Sequence, residues 1–196
     1  MNNVIEEACN INSQLTDVHR KINELSSLLT INESYTPLKS ILTKTLESAK
    51  GISEERSITV TSTTSCNNLL IAGDGSAIVT VIHELLQNAI SASPDGGRVQ
   101  METVKQPDCM VTISVSDYGA GMEPEQIAEF LSPSIQCEEN VGTRDNNWGG
   151  VGIPLAKAIA EAHGGALEIR SMPGSGTIAM LVIPSDRVLT ENEEAA

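Results

Sequence analysis

The sequence predicts a mixed α/β domain, with a sheet covered by helices on one face and one long amphipathic helix ahead of it. Three observations carry that reading. Apolar residues step by four and three through the first 30 residues, helical and strand periods then alternate, and hairpins dominate the second half. At 196 residues the chain suits one globular domain plus an appendage.

The first segment places Val4, Ala8, Ile11, Leu15, Val18, Ile22, Leu25 and Leu29 on one seam, a heptad pattern. Such a stripe needs a partner. Two readings stand, a dimerisation bundle or packing on its own domain, and the strictness of the repeat favours the bundle. NESYTP (32–37) breaks the pattern as a linker over 32–36. PLKSILTKTLESAKG then reads as a helix with Pro37 at its start and Gly51 after its end. SITVTST (57–63) alternates like a strand, and GDGSAIVTVIHELLQNAISAS (73–93) is a helix with Asp74 as N-cap. PDGG (94–97) makes a turn, and strands follow near 98–104 and 110–116. Residues 132–149 are polar and rich in Asn, Glu, Asp and Gly, long enough for a mobile loop. WGGVGIPLAKAIAEAHGG (148–165) runs from glycines into a helix. ALEIRS and TIAMLVIP flank the turn MPGSG as a hairpin, and residues 187–196 read as an acidic tail.

Bulk composition excludes several classes. With 26 acidic against 12 basic residues the net charge is −14, which argues against sequence-independent binding to nucleic acid. The four cysteines, Cys9, Cys66, Cys109 and Cys137, form no CxxC pair, so they suggest neither a zinc site nor a short disulfide framework. Scattered thiols fit a cytoplasmic chain. The start lacks a signal-peptide layout, and no apolar run reaches the roughly 20 residues that span a bilayer.

Four stretches carry chemistry. HELLQNA (83–89) puts Glu84 and Asn88 four apart on one helical face, a carboxylate and an amide suited to a magnesium ion and its waters. DYGAGM (117–122) ends a strand with an Asp that can accept from a base amino group while glycines keep the backbone close. GGVG (149–152) opens a helix, where free N–H groups favour an anion. It is not a Walker loop, and it lacks the third glycine and the preceding strand of a dinucleotide fingerprint. GSGT (174–177) supplies a turn and a hydroxyl. Singly, each also fits a plain structural role: a solvated helix face, a tight turn, a helix start, a hairpin loop.

In this order, ELLQNA, DYGAGM, GGVGIPLAKAIAEAHGG and GSGTIAMLVIP resemble the N box and the three glycine boxes of the GHKL ATPase superfamily. The nearest likeness is to the catalytic ATP-binding domain of sensor histidine kinases. The resemblance covers 37–186 and implies a Bergerat-type two-layer α/β sandwich that binds ATP and Mg2+. Residues 1–31 are then similar to the second helix of a dimerisation hairpin. Asn88 would hold the magnesium, and Asp117 would accept from the adenine amino group. Gly119 and Gly121 would let the chain wrap the nucleotide. Gly150 and Gly152, with the N–H groups of Val151 and Ile153, would face the phosphates. Thr177 would sit by the adenine, directly or through water, and 132–149 would be the ATP lid. Glu84 has two readings: a catalytic carboxylate that acts on water in hydrolysing relatives and on an incoming imidazole in a kinase, or a magnesium or structural role. His83 beside it has two readings, a partner or switch for Glu84 or an inert exposed helical histidine, and the second is the commoner.

The likeness has departures. Ser91 stands where the family often has Lys, FLSPS (130–134) keeps Phe130 and Pro133 but no second aromatic, and Trp148 replaces a common glycine. Lys157, the one cation near the helix start, points away from phosphate on helical spacing. His19 is followed by Arg20 and Lys21 rather than an acidic residue, so the acceptor histidine is expected on a helix this chain lacks. The implied activity is γ-phosphoryl transfer to a histidine on a dimerisation helix, for relay to a response-regulator aspartate. The implied assembly is a homodimer through the N-terminal helix. An anti-sigma-type serine kinase of the same fold and a degenerate nucleotide-binding scaffold are the alternatives.

Overall fold

The computed structural model describes residues 32–66, 68–131 and 152–190. The heptad segment, the expected lid with Gly150 and Val151, and residues from 191 onward lie outside the described residues. Chain order is β1 (Ser34–Pro37), α1 (Leu38–Glu55), β2 (Thr59–Thr64), β3 (Leu69–Gly73), α2 (Gly75–Ala92), β4 (Arg98–Lys105) and β5 (Val111–Asp117). It continues with α3 (Pro124–Phe130), α4 (Gly152–Ala162), β6 (Ala166–Ser171), β7 (Thr177–Ile183), a 3-10 turn at Ser185–Arg187 and β8 (Val188–Thr190).

Five strands form a mixed sheet in the order β2-β4-β5-β7-β6, parallel only between β2 and β4. Period-two alternation gives it two unlike faces. Val99, Met101, Val111, Ile113, Val115, Leu167, Leu181 and Ile183 are buried, whereas Gln100, Glu102, Thr112, Ser114 and Ser116 between them are not. The helices supply the other half of this core through Ile41, Ile82, Leu85, Leu86 and Ile159 among others. Each such side chain contributes about 1.5–3 kcal/mol on burial. The expectation of a sheet covered by helices on one face holds.

Local signals explain the helix ends. Asp74 Oδ1 accepts from the N–H groups of Ser76 and Ala77 at 2.9 and 3.0 Å, the expected N-cap of α2. At its other end, Arg56 donates to the carbonyls of Ile90, Ser91 and Ser93 at 2.6, 3.0 and 2.9 Å and pairs with Asp95. One guanidinium thereby satisfies the carbonyls that a helix C-terminus leaves open.

The structure differs from the sequence reading in three places. α1 runs through Gly51 to Glu55 instead of stopping there, because its buried stripe of Ile41, Leu42, Thr45 and Ala49 continues to Ser53. Packing of that stripe outweighs the roughly 1 kcal/mol that an interior glycine costs. A second, three-stranded antiparallel sheet, β1-β3-β8, takes residues assigned to the linker, to no element and to the tail. Its central strand LLIAG is buried almost throughout and so shows no alternation. Finally, α3 forms where the sequence reading placed no helix. Its signature is a capping box between Glu123 and Gln126, with Pro124 in the first turn. Among the described residues no helix is long and apolar enough to cross a membrane, and Cys66 and Cys109 are free thiols.

Candidate functional site

The predicted residues gather in two groups. The first stands where β5 and β7 end side by side. Ser116 pairs with Ile178, so Asp117 and Thr177 are neighbours on the helix-covered face. Asp117 is buried, and its Oδ1 accepts from the N–H of Gly119 at 2.8 Å and of Thr177 at 3.3 Å. Burial pushes its carboxyl above the usual range, while these two hydrogen bonds pull it back. Oδ2 has no hydrogen-bond partner among the described residues and is the atom left for a ligand donor.

The glycines of this group have a steric reason. A Cβ at Gly119 would strike the carbonyl of Ala92, so the loop after β5 touches the end of α2 only without one. Gly121 sits at φ +69, a left-handed conformation that glycine adopts freely, and a Cβ there would strike the carbonyl of Met172. Gly174 N–H then bonds Ala120 O at 2.6 Å, closing loop 117–122 onto the β6–β7 turn.

The second group lies where α2 meets the first turn of α4. Glu84 is only 5% exposed, and a Cβ at position 152 would overlap its Oε2, so Gly152 is what admits the carboxyl to the helix start. Burial raises the Glu84 pKa to about 7. One turn on, Asn88 Nδ2 donates to Glu84 O at 2.8 Å. A carbonyl can only accept, so the amide is oriented with Oδ1 free for a cation or its water. The N–H groups of the first turn of α4, Ile153 among them, lack helical acceptors, and Pro154 has none to offer.

Asn88 is one oxygen ligand, and among the described residues no three His, Cys, Asp or Glu side chains cluster around a metal position. That donor set fits magnesium brought in with phosphates, which keeps several waters and takes few protein ligands. It does not fit a zinc centre.

Other singled-out residues resolve plainly. Lys157 pairs with Glu161 at 4.0 Å, away from the helix start. His83 is half-buried rather than exposed, its Nδ1 2.8 Å from Ser48 Oγ on α1, and burial lowers its pKa. Phe130 is half-buried at the end of α3, and the Ser91 carbonyl serves Arg56. Gly150, Val151, Pro133 and Trp148 are outside the described residues. One residue escaped the sequence reading: Ser171, whose hydroxyl meets Met122 N–H, Gly176 O and Thr177 Oγ1 at 2.9, 2.8 and 2.9 Å. The signal was the hairpin register, which sets Ser171 opposite Thr177.

A two-layer sandwich with a buried acid at a strand end and a carboxyl against a helix start is the frame of a nucleotide-binding class of protein. The sequence model of the histidine kinase-, DNA gyrase B- and HSP90-like ATPases matches residues 73–187, and the chain belongs to that family. An uncharacterized sensor-like histidine kinase of Rhizobium meliloti is 34% identical over 116 residues, which is 59% of this chain and 22% of that relative. The chain thus spans about a fifth of that relative's length. The nucleotide-free catalytic domain of histidine kinase ThkA superposes with a TM-score of 0.67 at 19% identity, over 79% of this chain and 96% of that domain. Full-length ShkA in complex with AMPPNP superposes with a TM-score of 0.64 at 19% identity, over 78% of this chain and 31% of that one. The fold is that of histidine kinase catalytic domains, and the domain is an ATP-binding one.

Proposed function

We propose that this chain is the catalytic domain of a protein-histidine kinase that binds Mg-ATP and moves the γ-phosphoryl group to a histidine on a dimerisation helix. A response-regulator aspartate then receives it, in the cytoplasm, within a homodimer joined through residues 1–31. The observation that carries this reading is Glu84 set against the head of α4 with Asn88 one turn further along α2, and Asp117 and Thr177 at the strand ends. In this reading Asp117 accepts from the adenine amino group, and Thr177 lies beside it. Gly119 and Gly121 let the loop close on the nucleotide. Gly150 and Gly152, with the backbone N–H groups of Val151 and Ile153, face the phosphates, and Asn88 Oδ1 would hold the magnesium.

The transfer then balances simply. The unprotonated ring nitrogen of the acceptor imidazole attacks the γ-phosphorus. The bond to the bridging oxygen breaks and ADP leaves with that electron pair. The proton on the other ring nitrogen passes to Glu84, whose pKa of about 7 suits a general base at neutral pH. Most of the remaining catalysis is positioning and charge neutralisation.

The test is to incubate the chain with γ-labelled ATP and a protein carrying a complete dimerisation hairpin, then treat the product with acid. Acid-labile label on the hairpin protein supports the proposal. Acid-stable label indicates a serine kinase, and bound ATP without transfer indicates a scaffold; either outcome overturns it.

A further inference from the structure

We propose that Ser171 is a positioning residue that fixes the hydroxyl of Thr177 as an acceptor, and through it selects a base carrying an amino group over one carrying a carbonyl. The inference rests on the nucleotide-binding reading above and deepens it.

The argument is a count of protons. A serine hydroxyl has one proton to give and two lone pairs to receive. Ser171 Oγ has three neighbours at hydrogen-bonding distance. Met122 offers an N–H, so it donates. Gly176 offers a carbonyl 2.8 Å away, so the Ser171 proton must lie on that line. The third neighbour, Thr177 Oγ1 at 2.9 Å, must therefore give its own proton to Ser171. All three valences of Ser171 are then filled, and Thr177 has no proton left. What Thr177 presents elsewhere is lone pairs alone.

Placement makes this matter. Ser171, Thr177 and Asp117 stand in a row on one face at the same end of three adjacent strands. Asp117 Oδ1 is taken by two backbone N–H groups, and none of the described residues bonds Oδ2. The row thus offers two acceptors, Asp117 Oδ2 and Thr177 Oγ1, and no hydroxyl donor. An exocyclic amine, or a water that donates to both, satisfies them. A carbonyl at the same position meets lone pairs on both sides. Without Ser171, the Thr177 hydroxyl would rotate freely and could donate to that carbonyl.

The experiment titrates Mg-ATP and Mg-GTP by calorimetry into the full chain and its S171A, S171T, T177V and S171A/T177V variants. The parent chain is expected to prefer ATP. S171A should shrink that preference about tenfold, the size of one misoriented hydrogen bond, chiefly by improving GTP. S171T, which keeps the hydroxyl, should retain the preference, and S171A should change nothing further once Thr177 is Val. Equal weakening of both nucleotides in S171A would make Ser171 merely structural and overturn the proposal. So would an unchanged preference, or an undiminished S171A effect in the T177V background. A parent chain that binds neither nucleotide instead overturns the nucleotide reading itself.

Discussion

The two ends of the proposed nucleotide site, one for the base and one for the phosphates, are built differently. At the base end, strands and tight turns fix everything. Asp117, Thr177 and Ser171 are held in register, and backbone groups consume Asp117 Oδ1 and the Ser171 proton. At the phosphate end, two helices meet, and the decisive group is a single buried carboxyl whose pKa of about 7 leaves its charge open to change. In the proposed function the base end reads hydrogen-bond polarity, whereas the phosphate end is poised for proton transfer. Substitutions should therefore separate: those at the strand ends change which ligand binds, and those at the helices change chemistry and pH response.

The largest expected effect is on chemistry. Glu84→Gln keeps the shape and the acceptor oxygen but removes the base, so the rate of phosphoryl transfer should fall about 10²- to 10⁴-fold. Affinity for Mg-ATP should stay within about threefold, because the amide bears no charge to repel phosphate. A single-turnover assay beside a binding titration checks both. A parallel collapse of affinity would erase the proposed division between the two ends.

Asp117→Asn is the counterpart at the base end. The amide oxygen can still accept from Gly119 and Thr177, which leaves Nδ2 where the free carboxylate oxygen was. The new amide N–H would then face the N–H of the base amino group, donor against donor, and ATP affinity should fall about 100-fold, one lost charged hydrogen bond plus a buried mismatch. The folded state should not suffer, since burial disfavours the charged Asp117 in the first place. Calorimetry together with a thermal melt separates the two effects.

These contrasts also explain what was legible in the sequence. Glu84 and Asn88 stand out by a four-residue spacing and Asp117 by its place at the end of an alternating strand, but each singly fits a plain structural role, and only their order with the glycine motifs carries the resemblance. Ser171 does not, because a serine closing a strand carries no pattern until register puts Thr177 opposite and the turn brings Gly176 and Met122 to it. The same holds for β3, a run buried too fully to alternate. Gly51 misled in the opposite direction, since the local cost of glycine is visible in sequence whereas the buried stripe that overrides it is a tertiary fact. Motif chemistry was local, while the orienting shell around it was not.

The phosphate end should also announce itself in stability against pH. Below pH 4.5 the Glu84 carboxyl is protonated in both folded and unfolded chains and makes no difference. Between 4.5 and about 7 the unfolded chain releases the proton while the folded chain keeps it, so stability falls as pH rises. Above that range both are ionised and the loss is complete, about 3 kcal/mol in all. Glu84→Gln lacks this slope, so denaturant melts of the two chains should diverge from pH 5 to pH 7.5. Parallel curves would mean the carboxyl is better solvated than its burial implies.

The smallest effect tests how tightly the two helices meet. Gly152→Ala places a methyl on Glu84 Oε2, and either the carboxyl or the head of α4 must give way. Overpacking of this kind costs about 1–3 kcal/mol. Shortening the partner removes the conflict: in an E84A background the same methyl meets space, so the two changes should be less than additive in a double-mutant cycle. Nucleotide selectivity, set at the far end by Ser171 and Thr177, should not move in any of the three variants. A change in the ATP-to-GTP preference there would show that the strand ends respond to the helices after all, and the two halves of the site would have to be treated as one.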